Sequence, residues 1–264
     1  MKLAYKFYPL DKEKQSLIEV SRNLLILHGL FGSSKNWVTL SKALSSEFNV
    51  YSLDLRNHGD SPHSDVHTIE AMSSDIEEFI SEHNLQNLSL LGHSMGGLVA
   101  MYFDLTHPKL LESLVIQDIS PRSYPFTYDN EIESMQIDLT NCNSRSEIDL
   151  LMKEKLPDTF IRQFLQMNLD RTEDGKYFWK LNVEGINHSR RMFSDSFQNL
   201  KPSETKTLFV LGGDSEYINS KDHEIILALF PLAKFQTIPG GGHYIHYTHA
   251  KEFTPMIQNF LSRA

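Results

Sequence analysis

Ser94 stands between two glycines in Gly92-His93-Ser94-Met95-Gly96-Gly97. The apolar run Leu88-Ser89-Leu90-Leu91 precedes it, and the helix-favouring Leu98-Val99-Ala100 follows. Gly-x-Ser-x-Gly between a buried strand and a helix is the setting in which a strained turn presents a serine hydroxyl as a nucleophile. The glycines are required because such a turn brings backbone segments too close for a Cβ. The Met95 N–H opens the following helix, whose N-terminus favours developing negative charge, and is the first expected donor of an oxyanion hole.

A nucleophilic serine needs a base, an acid and a second oxyanion donor. His243, in Pro239-Gly240-Gly241-Gly242-His243, follows an apolar segment at the position where ligand crevices form in parallel sheets. Imidazole titrates near neutrality and can move a proton both ways. His246 and His249 are nearby competitors. Two aspartates fit the acid position in the chain order Ser, acid, His: Asp118, ending Leu114-Val115-Ile116-Gln117-Asp118-Ile119, and Asp214, after Leu208-Phe209-Val210-Leu211-Gly212-Gly213. Spacing alone does not separate them. The second oxyanion donor is expected from His28-Gly29-Leu30-Phe31-Gly32, with Leu30 preferred and Phe31 second. His28 is assigned to tying down its own loop.

Other polar groups have plainer readings. Asp54, Arg56, Gly59 and Ser61 form a cluster in which an Arg56–Asp pair shapes a loop. His188, Arg190 and Arg191 read as a solvated face unless they turn toward a pocket, where they would suit an anionic substrate. No His-Glu-x-x-His, paired cysteine or carboxylate cluster suggests a metal, and no Gly-x-Gly-x-x-Gly or Walker loop suggests a nucleotide, so no cofactor is expected. Serine rather than aspartate at the turn argues against alkyl-enzyme chemistry.

The elements needed to position these groups alternate. Residues 2–8 fit an edge strand and Leu17-Ile18-Glu19-Val20 a second, joined by the charged Asp11-Lys12-Glu13-Lys14. Leu24-Leu25-Ile26-Leu27 suits a strand covered on both faces. A helix over 37–44 with Ser33 or Ser34 as cap, a strand over 49–55, a helix over 69–83 and the strand before Ser94 follow. The helix after Ser94 stops near Pro108, and a strand over 114–119 comes next. Residues 121–203 hold helical patterns and no clear buried strand. They are too long for a loop and are expected to form a helical cap inserted between two strands, leaving 1–120 and 204–264 as the core. Strands over 207–211 and 235–238, separated by a helix over 221–229, and a terminal helix complete a doubly wound, mostly parallel sheet.

The chain has 264 residues, 40% of them hydrophobic, enough for one large domain with an insertion. A net charge of −9 argues against nucleic acid or an anionic membrane as partner. The single Cys142 allows no intrachain disulfide. No signal peptide or apolar run of membrane-spanning length is evident, so stable membrane anchoring is not expected and a cytoplasmic protein is.

Together, His28-Gly29-Leu30-Phe31-Gly32-Ser33, Asp54-Leu55-Arg56-Asn57-His58-Gly59-Asp60-Ser61, Gly92-His93-Ser94-Met95-Gly96-Gly97, Asp118-Ile119-Ser120-Pro121 and Gly241-Gly242-His243 resemble the α/β-hydrolase superfamily over nearly the whole chain. The match is nearest to a branch of small bacterial esterases and mitochondrial abhydrolase-domain proteins. Much of the superfamily places its acid three residues after the strand-ending glycine, here Ser215. The Asp-Ile-x-Pro branch carries it one strand earlier, which implies Asp118, with Asp214 as the alternative. The resemblance implies a serine hydrolase acting on carboxylic esters or thioesters through an acyl-enzyme. Carbon–carbon bond hydrolysis or a lyase reaction on an anionic substrate is the second reading, and a non-catalytic binding protein the third. The aromatic and Met side chains Phe126, Tyr128, Phe160, Phe164, Phe178, Trp179 and Met192 are expected to line an apolar acyl pocket.

Overall fold

The computed structural model describes residues 1–11, 22–191, 193 and 196–263. The expected second strand at 17–20 and most of its hairpin loop lie outside them. β1 (Tyr5–Tyr8) is the antiparallel edge of a seven-stranded sheet. The rest of the sheet is parallel: β2 (Asn23–Leu27), β3 (Asn49–Leu53), β4 (Leu88–His93), β5 (Leu111–Gln117), β8 (Lys206–Gly212) and β9 (Lys234–Ile238). The spatial order is β1-β3-β2-β4-β5-β8-β9, so β2 and β4, which carry the oxyanion loop and Ser94, are neighbours at the centre.

Alternate strand residues feed two cores. Leu25, Leu27, Leu90, Leu114, Ile116 and Phe209 pack on one face, against α2 (Ile69–Glu82) and α3 (Met95–Thr106). Leu24, Ile26, Leu91, Val115, Leu208 and Val210 pack on the other, against α1 (Val38–Leu44) and α10 (Ala250–Leu261). This two-sided burial is why β2 reads as a continuous apolar run rather than an alternating one. Burying each such side chain contributes on the order of 2 kcal/mol.

Caps set the helix starts. Ser33 caps a 3-10 turn (Ser34–Trp37) that leads into α1, and Thr68 accepts the Ala71 N–H at the start of α2. β5 begins and ends earlier than its apolar run suggests, at Leu111–Gln117, which leaves Asp118 just beyond the strand with φ +53°.

Between β5 and β8 lie α4 (Asp129–Met135), α5 (Arg145–Met152), α6 (Thr159–Gln166) and α7 (Val183–His188). A short antiparallel pair, β6 (Leu169–Arg171) and β7 (Tyr177–Trp179), interrupts them. The sequence pattern missed this pair because three residues are too few to establish an alternation. α8 (Ser220–Leu229) and α9 (Ile245–Thr248) complete the described helices. None is long and apolar enough to cross a membrane.

Candidate active site

The turn after β4 holds Ser94 at φ +51°, ψ −119°, a conformation L-residues rarely adopt. Two contacts enforce it. A Cβ on Gly92 would meet the Gly96 carbonyl oxygen at 2.3 Å, and one on Gly96 would meet the Leu27 and His28 oxygens at 2.5 Å. Backbone atoms cannot retreat, so glycine is obligatory at both positions. Ser94 is 7% exposed. Among the described residues its hydroxyl makes no hydrogen bond, and it borders the same narrow cavity as the His243 ring.

His243 sits beyond β9 on the glycine-rich loop, and its Nδ1 lies 2.7 Å from Asp118 Oδ2. A carboxylate can only accept, so Nδ1 carries the proton and Nε2 is left with its lone pair. Asp118 is fully buried, and its charge is met by three donors: His243 Nδ1–H, the Gly212 N–H at 3.1 Å and the Ser215 hydroxyl. Ser215, three residues after Gly212, thus donates to the Asp118 carboxylate just beyond β5. Asp214 is exposed, its N–H bonded to the Gly241 carbonyl, and no described contact joins its side chain to His243.

The imidazole is clamped from behind. Tyr217 stacks on it, centroids 3.8 Å apart and planes 15° apart. The His243 carbonyl accepts from His93 Nε2–H and Gln117 Nε2–H, each at 3.0 Å. The second hydrogen of the Gln117 amide reaches His246 Nδ1 at 2.9 Å, and His246 stacks on Trp37. Burial pushes His246 down to about 3 and His93 well below the usual imidazole range, so both stay neutral. His246, a competitor for the base by sequence, is thus a buried strut, and the His249 ring hydrogen-bonds only to the Thr248 hydroxyl among the described residues. The signal for Gln117 was a polar side chain ending an apolar run directly before the acid. Nothing in the sequence marked Tyr217.

The oxyanion loop separates its two candidates. The Phe31 N–H, at φ +62°, donates to His58 Nε2 at 3.1 Å. The Leu30 and Met95 N–H groups have no acceptor among the described residues. His28 holds the loop as expected, with Nδ1–H on the Gly29 carbonyl at 2.8 Å and Nε2 accepting from the Leu55 N–H at 2.9 Å. Desolvation keeps both His28 and His58 neutral. Arg56 shapes the adjoining loop, but its carboxylate partner is Asp75 on α2, held bidentately at 2.6 and 2.8 Å.

The cavity at Ser94 has a free volume of about 30 Å³. Tyr128, Ile161, Phe164 and Leu165 wall it from the 121–203 side, with Glu131 among them. A smaller apolar recess, about 10 Å³, lies on the other side of Ser94 beside Leu98, Ile119, Tyr124 and Phe193. Tyr128 and Tyr217, bonded hydroxyl to hydroxyl at 3.1 Å, border both spaces. Of the other side chains expected there, Phe160 lines a neighbouring groove, Phe126 packs behind Tyr128, and Phe178 is surface-exposed. Trp179 lines neither space, and Met192 lies outside the described residues. Arg190 pairs with Asp129 at 2.7 Å over the Phe126 ring, and neither it, Arg191 nor His188 lines the cavity.

A family model described as the α/β hydrolase fold matches residues 22–250, and the chain belongs to that family. Among its relatives is the sn-1-specific diacylglycerol lipase ABHD11 of Xenopus laevis, 39% identical over 250 residues, spanning 91% of this chain and 80% of that one. A putative esterase/lipase of Haemophilus influenzae is 31% identical over 242 residues, covering 91% and 83% of the two chains. The solved structure of a marine microorganism esterase superposes with a TM-score of 0.90 at 35% identity, covering 98% of this chain and 99% of that one. The relatives are named esterases and lipases, and the chain is a hydrolase of that type.

Proposed function

We propose that the protein is a serine hydrolase that cleaves carboxylic esters or thioesters through an acyl-enzyme, with Ser94 as nucleophile, His243 as base and Asp118 as the acid. The observation that carries this reading is the 2.7 Å His243 Nδ1–Asp118 Oδ2 contact, which frees Nε2 toward a cavity it shares with a strained Ser94. The Ser94 proton passes to His243 Nε2 as Oγ attacks the acyl carbon. The carbonyl electron pair moves onto oxygen, where the Leu30 and Met95 N–H groups receive it. Collapse of the adduct expels the alcohol or thiol, which takes the proton from His243. Water then repeats the sequence and releases the acid. Asp118 orients the ring and stabilises the imidazolium.

Residues 121–203 act in this scheme as a cap over Ser94. The free space at Ser94 is far below the roughly 300 Å³ of an ordinary small-molecule site, so substrate entry requires the cap side to yield. Phe164 and Tyr244 separate the cavity from a surface groove of about 330 Å³, and they are the wall across which it opens. The second reading, an anionic substrate held by cap arginines, has no lysine or arginine at the cavity among the described residues to support it. Turnover of 4-nitrophenyl esters and acyl thioesters by wild type, lost on the order of 10³-fold or more in Ser94→Ala, tests the proposal. Equal turnover by the variant contradicts it.

A further inference from the structure

Among the described residues, the side chains that line the cavity at Ser94 include one carboxylate and no lysine or arginine. Glu131 lies in the first turn of α4, half-buried, beside Tyr128, Phe164 and Tyr244. Its neighbours on the helix are spoken for: Asp129 pairs with Arg190, and Glu133 with Lys155 at 3.1 Å. Among the described residues no cation pairs with Glu131. Burial, with smaller contributions from neighbouring tyrosines and from Glu131, raises the Tyr128 and Tyr244 hydroxyls above their usual range. Burial raises the Glu131 carboxyl itself, outweighing a backbone hydrogen bond that lowers it. The Tyr244 hydroxyl has no protein partner among the described residues, and Tyr244 and Glu131 line the same small space, Glu131 with a backbone N–H but no cation to meet its charge.

Unpaired polar groups in a desolvated site are costly unless a ligand meets them. With the acyl chain assigned to the apolar side at Leu98, Ile119 and Phe193, the Glu131 side is left for the leaving group. Resting on the acyl-transfer reading above, we infer that Glu131 selects substrates by charge: it favours esters whose alcohol carries a cation or hydrogen-bond donors, and it rejects anionic ones.

The test compares kcat/KM for acetylcholine, for its uncharged isostere 3,3-dimethylbutyl acetate, and for the anionic acetoxyacetate. Each is run on wild type, Glu131→Gln and Glu133→Gln. The wild type should favour the cation over the isostere, and the isostere over the anion, by about tenfold each, the size expected of a partly screened charge a few ångströms away. Glu131→Gln should bring both ratios within about twofold of unity, on the same scale. Glu133→Gln removes the same charge from the same helix outside the cavity, and its ratios should match wild type. Ratios that persist in Glu131→Gln, or that collapse equally in Glu133→Gln, overturn the inference alone. Absence of turnover on all three esters by wild type overturns the acyl-transfer reading and the inference with it.

Discussion

On the sheet side of Ser94 most polar groups are bonded to one another, although the buried Gln117 Oε1 has no partner among the described residues. Asp118 meets three donors, the His243 carbonyl meets two, and Gln117 spends both amide hydrogens. At the cavity wall, Glu131 on the 121–203 side has no cationic partner and the Tyr244 hydroxyl, on the loop after β9, no protein partner among the described residues, and the 121–203 side is otherwise aromatic and aliphatic. The first region can act without reorganising, which is the condition for electrostatic catalysis. The second leaves its polar groups for something that is not part of the protein. On the proposed reading, catalysis and recognition fall to two different sets of groups, and the two should respond differently to substitution.

The largest effects belong to the sheet side. Asp118→Asn presents the wrong hydrogen-bonding face to His243 Nδ1–H and should lower kcat on the order of 10³- to 10⁴-fold. Asp214→Asn, at an exposed side chain, should stay within about twofold, so steady-state kinetics on the pair decide which aspartate serves. Comparable losses in the two variants would blur the division. Ser215→Ala removes one donor to a buried carboxylate. A charge-assisted bond is worth roughly 1.5–3 kcal/mol, so a fall in kcat of about tenfold is expected with KM little changed.

The buried struts give the smallest effect, on stability rather than rate. Unfolded imidazoles bind a proton near pH 6.5, whereas His93 and His246 resist it in the fold, His246 until about pH 3. The unfolded state therefore takes up protons first as the pH falls. Stability should decline from about pH 6.5 toward pH 3, read as a falling Tm. His246→Gln should make that decline shallower.

The same division governs what the sequence made legible. Gly92, Ser94 and Gly96 are dictated by backbone contacts a few residues away or on the adjacent strand, so their spacing carries the geometry. The alternation of apolar runs with amphipathic helices likewise gave the sheet, because two-sided burial writes continuous hydrophobic strands. The choice between Asp118 and Asp214 was not legible from spacing. It depends on which carboxylate turns inward across β5 and β8, a tertiary fact that only the resemblance anticipated. Leu30 and Phe31 were equally indistinct, because the deciding bond joins Phe31 to His58, 27 residues away. The β6–β7 pair and the role of Glu131 went unread because neither follows a period: one is too short, and the other depends on what surrounds it.

The most direct test of the central claim is intact-mass and peptide mapping after exposure to a fluorophosphonate. One covalent adduct per chain is expected, located on the peptide containing Ser94. It should be absent in Ser94→Ala and formed far more slowly in Asp118→Asn and His243→Ala. An adduct that persists in Ser94→Ala, or that forms at the wild-type rate without Asp118, would contradict the account.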